Sequence, residues 1–203
     1  MVITIARECG SGGHAVASSL AKDFGIELFD KRRLMEEAKA LHQYEENRNF
    51  IDETPINSLL YSLALGYGDD SLQKRSFQLV KDMTAKKDLV IIGHCSNYIF
   101  KDEEDVTTIF IHADEEIRIQ RLMKKHDLNE KKARELMKKY DDRRASFQKY
   151  CTGQHWGIAK HYQLTIDSGH IGIKGTVKMI KQYIEYKKNI LQEDKDEVQG
   201  NYI

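Results

Sequence analysis

A β-branched apolar run, Val2-Ile3-Thr4-Ile5-Ala6, is followed within three residues by Gly10-Ser11-Gly12-Gly13. Helical spacing begins directly behind it. The apolar run reads as a buried strand. Val16, Leu20, Ala21 and Phe24 then recur on one helix face, and Gly25 closes that helix. A strand, a glycine turn and a helix start in this order aim successive backbone N–H groups into one concavity. With the helix N-terminus behind it, such a turn suits a phosphate. The alternative is a tight strand–helix turn with no ligand.

The same grammar continues along the chain. Glu27-Leu28-Phe29 reads as a second strand, and Asp30 can cap a helix through Leu34, Ala38 and Leu41. Residues 43–54 are polar and read as irregular. Residues 56–86 read as two helices separated at 66–70. Residues 88–93 and 106–111 are nearly unbroken apolar runs, as in strands buried on both faces. Asp114 and Asn129 can cap the next two helices, the second reaching about Lys149. Leu164-Thr165-Ile166-Asp167 reads as the fifth strand, and residues 173–191 as a last amphipathic helix. Strands that alternate with helices imply right-handed crossovers and an α/β doubly wound fold. Ligands of such folds bind at the carboxyl ends of the strands, and the glycine turn is the first such end. We expect a single domain over 1–192 and a polar, frayed tail over 193–203.

Composition narrows the function classes. The chain has 203 residues, with 32 Lys+Arg against 32 Asp+Glu, so its formal net charge is zero. That balance disfavours a general nucleic-acid binder, which carries a basic excess. No run of 18 apolar residues exists, so no membrane span is expected, and the first residues have the wrong flanks for a secretory signal. Cys9, Cys95 and Cys151 lack metal-type spacing and read as reduced thiols of a cytoplasmic protein. The sequence gives no metal ligands and no oligomeric state.

The glycine turn is not a complete G-x-x-x-x-G-K-[ST] phosphate loop. With Gly12 as the second glycine, the first-glycine position is Arg7 and the lysine position is Gly13. The metal-binding hydroxyl is missed at Ala15. Nor is it a dinucleotide fingerprint, which needs a third glycine at its own spacing. Arg7 is the candidate replacement cation, able to lay a guanidinium fork on phosphate oxygens. Its alternative is a surface ion pair with Glu8 or Asp30. Ser11 offers a hydroxyl from a different position.

Arg7-Glu8-Cys9-Gly10-Ser11-Gly12-Gly13 with Asp30-Lys31 resembles the opening of the cytidylate-kinase-like family, P-loop relatives of the nucleoside monophosphate kinases. The resemblance continues at Gly93-His94, where relatives carry Gly-Arg, and at Phe110 to Ala113, Arg118 and Arg121. It resumes at Asp141 with Arg144, at Tyr150 to Gly153 with Trp156, and at Ile166 to Ser168. It implies a P-loop NTPase-like three-layer α/β/α fold: a five-stranded parallel sheet with a helical lid over roughly 114–149. It implies a kinase that moves the γ-phosphoryl of ATP, with Mg²⁺, onto CMP or a related small acceptor. Arg7, Arg118 and Arg144 are then the catalytic cations. Gly10, Ser11, Gly12, Gly13, His14 and Ala15 form the phosphate loop, and Asp30, Arg33, His94, Arg121 and Asp141 hold the acceptor. The partners are small nucleotides, with neither nucleic acid nor membrane. The missing lysine, the missing loop hydroxyl and the His94 replacement point to an alternative: a weak or inactive nucleotide-binding regulator.

Tyr150, His155 and Trp156 pose a smaller choice. An aromatic pair there stacks on a base or closes the core.

Overall fold

The computed structural model describes residues 1–54 and 70–200. Five strands form one parallel sheet: β1 (Val2–Arg7), β2 (Glu27–Phe29), β3 (Leu89–Ile92), β4 (Val106–His112) and β5 (Leu164–Asp167). Their order is β2-β3-β1-β4-β5. β1 pairs β3 from Val2↔Leu89 to Ile5↔Ile92 and β4 from Val2↔Val106 to Arg7↔Ile111. The chain leaves β1 toward β2 on one side, and leaves β3 for β4 on the other. The crevice set by that reversal opens at the carboxyl ends of β1 and β3.

The pleat sends alternate residues to opposite faces. Leu89 and Ile91 of β3 join one core with Phe29, Leu34, Phe50 and Ile51. Val90 and Ile92 join the other with Ile3, Ile5, Val16 and Leu20. Helices α1 (Gly13–Phe24) and α8 (Ser168–Gly200) cover the second face. Helices α2 (Lys31–Ala40), α3 (Tyr44–Ile51) and α4 (Asp70–Thr84) cover the first. A short α5 (Ser96–Ile99) follows β3. The result is the three-layer α/β/α fold with a five-stranded parallel sheet.

Helices α6 (Glu115–His126) and α7 (Glu130–Thr152) form a hairpin over the carboxyl edge of the sheet. The hairpin has its own small core of Ile119, Leu122, Ala133 and Met137, which takes in Cys9 of the glycine turn. Farther along, Phe147 and Cys151 of α7 enter the main core. One helix therefore ties the lid to the domain.

Three segments differ from the expectation. Residues 43–54 are not irregular. Asn47, Phe50 and Ile51 supply a buried i, i+3, i+4 stripe for α3, and Glu45 and Glu46 suit its N-terminal dipole. Asp114 stands at the N-cap of α6 without a side-chain cap bond, and Glu115 and Glu116 pair with Arg134 instead. Asn129 does cap α7, accepting from Lys132 N–H at 2.9 Å. α7 runs to Thr152. α8 breaks at Gly172 (φ 65°) and then continues through Gly200, so the polar stretch read as frayed is helical that far. The first of the two helices read over 56–86, and the break at 66–70 up to residue 69, lie outside the described residues.

Candidate active site

The loop from β1 to α1 turns through two left-handed glycines, Gly10 (φ 82°) and Gly12 (φ 86°). A side chain costs free energy in that region, which selects glycine there. The loop is braced from within. Ser11 is fully buried, and its hydroxyl donates to the Glu8 carbonyl at 2.9 Å. The Ser11 carbonyl accepts from the Ser168 hydroxyl at 2.5 Å and from Arg121 Nη1 at 3.0 Å. Arg121 also donates to the Ser168 hydroxyl and carbonyl. Its guanidinium thus staples the loop to the start of α8. Ile173, just past the Gly172 break, packs so close that a Cβ on Gly12 would lie 2.1 Å from its Cδ1.

Above the loop lies a cleft of about 720 Å³. Its walls bring together Gly10, Gly12, Gly13, His14 and Ala15 with Arg7, Arg121, Lys125 and Arg144. A second, much smaller notch adjoins it at the ends of β1 and β3, lined by Glu53, Gly93, His94, Asn97 and Trp156. Arg7 and Arg144 line both. They form the partition between cleft and notch.

Arg7 explains the glycine at the lysine position. A Cβ on Gly13 would meet Arg7 Cβ at 2.5 Å and Cγ at 2.7 Å. The arginine stem fills the space where a lysine side chain would begin. Its Nη1 then reaches β3, 2.6 Å from where a Cβ on Gly93 would stand. Burial lowers the Arg7 pKa to about 10, Arg144 adds to the lowering, and Glu53 opposes it. At neutral pH the guanidinium is charged. The surface ion pair with Glu8 or Asp30 does not form: Glu8 turns to Arg118 and Asp30 caps α2. The signature hydroxyl directly follows the lysine position, so it is missing at His14 as well as at Ala15.

Other expected site residues are distributed unevenly. Arg118 is held by Asp141 (Nη1–Oδ2 2.6 Å) and Glu8 (Nε–Oε2 3.4 Å). Asp141 Oδ1 accepts from Cys9 N–H at 2.7 Å, so the carboxylate clamps the lid to the loop rather than facing the notch. Burial raises the Glu8 pKa, against the pull of Arg118 and the Ala113 N–H. Arg144 Nη1 donates to the Arg7 carbonyl at 3.2 Å and stands 3.6 Å from Asp141. Asp30 accepts from Arg33 N–H as the N-cap of α2, and the Arg33 guanidinium pairs with Glu37 at 2.9 Å. His94 is buried. Both its ring nitrogens face carbonyls, Nδ1 toward Ile92 at 3.3 Å and Nε2 toward Ile51 at 3.0 Å. Trp156 stands edge-on to Phe110 at 5.3 Å, beside Ala6 and Tyr162. Tyr150 packs against the main core.

Glu53 is a residue the sequence reading missed. It is 5% exposed and sits at φ 48°. Its Oε1 accepts from His94 N–H at 3.1 Å. Burial pushes this carboxyl up, but His94, Arg7, the His94 N–H and Arg144 outweigh it and hold the pKa at about 2. It lay within a polar stretch read as irregular. The Phe50-Ile51 pair just before it was the one available hint that the stretch turns inward.

The chain matches the cytidylate kinase-like family over residues 2–170. It belongs to that family. It is similar to a cytidylate kinase of Archaeoglobus fulgidus, 26% identical over 194 residues, covering 93% of this chain and 97% of the relative. Its fold is similar to the crystal structure of an uncharacterized protein from Eubacterium ventriosum, with TM-score 0.72, 27% identity, and 91% and 98% of the two chains covered. A shikimate kinase from Bacteroides thetaiotaomicron shares the fold at TM-score 0.51 and 11% identity, with 91% and 98% covered. The sheet, glycine loop and helical lid are therefore those of the P-loop kinase fold. Among the described residues no helix is long and apolar enough to cross a membrane.

Phosphoryl transfer from ATP calls for magnesium, so the donor set matters. Among the described residues no group of three or more His, Cys, Asp or Glu could hold a metal. Magnesium on a nucleotide keeps several waters and takes one or two carboxylates besides the phosphates. Glu8 is the carboxylate among the residues lining the cleft and would take that part; its Oε2 also meets Arg118 and the Ala113 N–H, and the Ser11 hydroxyl is turned into the loop.

Proposed function

We propose that this chain is a nucleotide kinase of the cytoplasm that transfers the γ-phosphoryl group of ATP to CMP or a closely related nucleotide. The observation that carries this reading is Arg7, which lines both cleft and notch, its stem taking the lysine's space over the glycine loop and its Nη1 reaching Gly93. Family membership and the similarity to a cytidylate kinase support it.

Phosphoryl transfer demands in-line positioning and charge stabilisation more than covalent chemistry. The triphosphate lies in the cleft with its terminal phosphate toward the partition. The free backbone N–H groups of the first turn of α1, at Gly13 to Ala15, face the phosphates. Arg7 and Arg144 flank the transferring group from either side, where their charge is worth most as the bond to the leaving oxygen lengthens. A monophosphate acceptor attacks through an oxygen that is already anionic, so no general base is required. Glu8 is the carboxylate that would hold a magnesium ion bound with the nucleotide, and the ion would supply further neutralisation of phosphate charge.

A second reading is a nucleotide-binding regulator. It is favoured by Arg118, whose charge is already met by Glu8 and Asp141, and by His94, whose ring nitrogens are both engaged. One experiment separates the two: purified protein assayed with ATP, Mg²⁺ and a panel of CMP, dCMP, UMP and AMP, with calorimetry of ATP alongside. Turnover with a pyrimidine monophosphate is the expected result. ATP binding with no turnover on any acceptor overturns the kinase in favour of the regulator.

A further inference from the structure

The two oxygens of Asp141 serve different elements. Oδ1 accepts from the Cys9 N–H at 2.7 Å, and Oδ2 accepts from Arg118 Nη1 at 2.6 Å. The same Nη1 donates to the Cys9 carbonyl at 3.4 Å, so lid side chains take both polar groups of that residue's backbone. Three residues on along α7, Arg144 Nη1 donates to the Arg7 carbonyl at 3.2 Å and pairs with Asp141 Oδ1 at 3.6 Å. The Tyr140 ring lies beside the Arg144 guanidinium, with its centroid 5.8 Å from Cζ. Asp141, Arg118 and Arg144 are all largely withdrawn from water. Charge-assisted bonds in such a setting are short and hold their geometry. Asp141 is not among the described residues that line the cleft or the notch, whereas Arg144 lines both.

We infer that Asp141 is a positioning residue rather than an acceptor ligand, holding Arg144 and the Arg7–Cys9 backbone in one fixed arrangement. The inference rests on the kinase reading, in which Arg144 is a cation for the transferring phosphate. An arginine has several rotatable bonds, and an unheld fork would spread over many positions. Here the Arg7 carbonyl and Asp141 confine it before the nucleotide arrives. Misplacement of about 1 Å can cost two orders of magnitude in rate. The local charge allows this use. Oδ2 is committed to Arg118, so the carboxylate orients Arg144 through Oδ1 alone and leaves its charge available to phosphate.

Asparagine is the informative replacement, because one amide oxygen serves where two carboxylate oxygens did. Kinetics with ATP and CMP are measured for the wild type and Asp141→Asn, each checked by melting temperature. We expect kcat to fall about tenfold while KM for CMP stays within about threefold, the pattern of an interaction that matters only in the transition state. A raised KM for CMP with kcat retained makes Asp141 an acceptor ligand and overturns the inference. A lowered melting temperature with kcat intact overturns it too, since the clamp is then merely structural. A second readout needs no turnover. Removing a negative charge near a phosphate site, with nothing else changed, tightens anion binding, whereas loosening Arg144 weakens it. We expect calorimetry to show ATP binding about fivefold weaker in Asp141→Asn, and no weakening by the same substitution once Arg144 is alanine. Unchanged or tighter binding in the first comparison overturns the inference, as does an equal weakening in both. Where Asp141→Asn does not fold, Asp141→Glu, which keeps the charge but moves it by one methylene, carries the same expectation for kcat. The underlying reading fails differently: Arg144→Ala would then bind ATP as tightly as the wild type.

Discussion

Arg7 leaves the end of β1 and crosses Gly13 before its guanidinium reaches Gly93. Both glycines are places where a side chain would collide with it, at 2.5 Å and 2.6 Å. This suggests an exchange experiment. Gly13→Lys restores the residue of the usual phosphate-loop pattern, yet its Cβ must displace the arginine stem. We expect Gly13→Lys to lower the melting temperature and weaken ATP binding at least fivefold, as overpacking of a close contact does. Adding Arg7→Ala to Gly13→Lys should recover part of the ATP affinity, so that the pair outperforms either single variant by calorimetry. Gly13 as a substitute for lysine was legible in the sequence, because the pattern has fixed spacing. Glu53 was not. Its importance comes from a backbone twist and from a partner 41 residues away. No local pattern encodes either.

Among the elements, the lid hairpin α6–α7 and the start of α8 meet at the glycine loop through charged side chains. Arg121 makes the most demanding of these links, with contacts to the Ser11 carbonyl and to both oxygens of Ser168. Arg121→Ala would strand those acceptors near a loop whose Ser11 is fully buried. A loss of about 2–3 kcal/mol is expected for hydrogen bonds to a charged group. For a chain of this size that lowers Tm by roughly 5–10 °C, measurable by calorimetric melting. Strands β3 and β4 were readable because both their faces are buried, which leaves uninterrupted apolar runs. α3 was not, since its buried stripe holds only Phe50, Ile51 and a polar Asn47, whose Oδ1 accepts from the Ser76 hydroxyl at 2.8 Å. The clamp of Asp141 on Cys9 N–H joins residues 132 apart. The family resemblance placed Asp141 in the site but could not say which group it would grip.

At the level of the whole molecule, zero net charge coexists with a cleft lined by Arg7, Arg121, Lys125 and Arg144. Acids on the outer surface provide the balance, as in the cluster of Glu115, Glu116 and Glu130 around Arg134. Distant surface charges are screened beyond a Debye length of about 10 Å at 0.1 M salt, whereas a bound phosphate stays within a few ångströms of its cations. ATP affinity should therefore fall only about tenfold between 0.05 and 0.5 M NaCl, as measured by calorimetry. A much steeper loss would mean that long-range field, rather than contact within the cleft, carries the binding.

The route taken by Arg7 has a mechanical meaning as well. In the usual phosphate-loop pattern the cation rides on the first turn of the helix, so it travels whenever the loop breathes. Here it is rooted in the middle strand of the sheet, which is hydrogen-bonded along both edges. The charge is anchored to a strand paired on both sides, while the glycine loop is held independently of it, by Arg121 and Asp141.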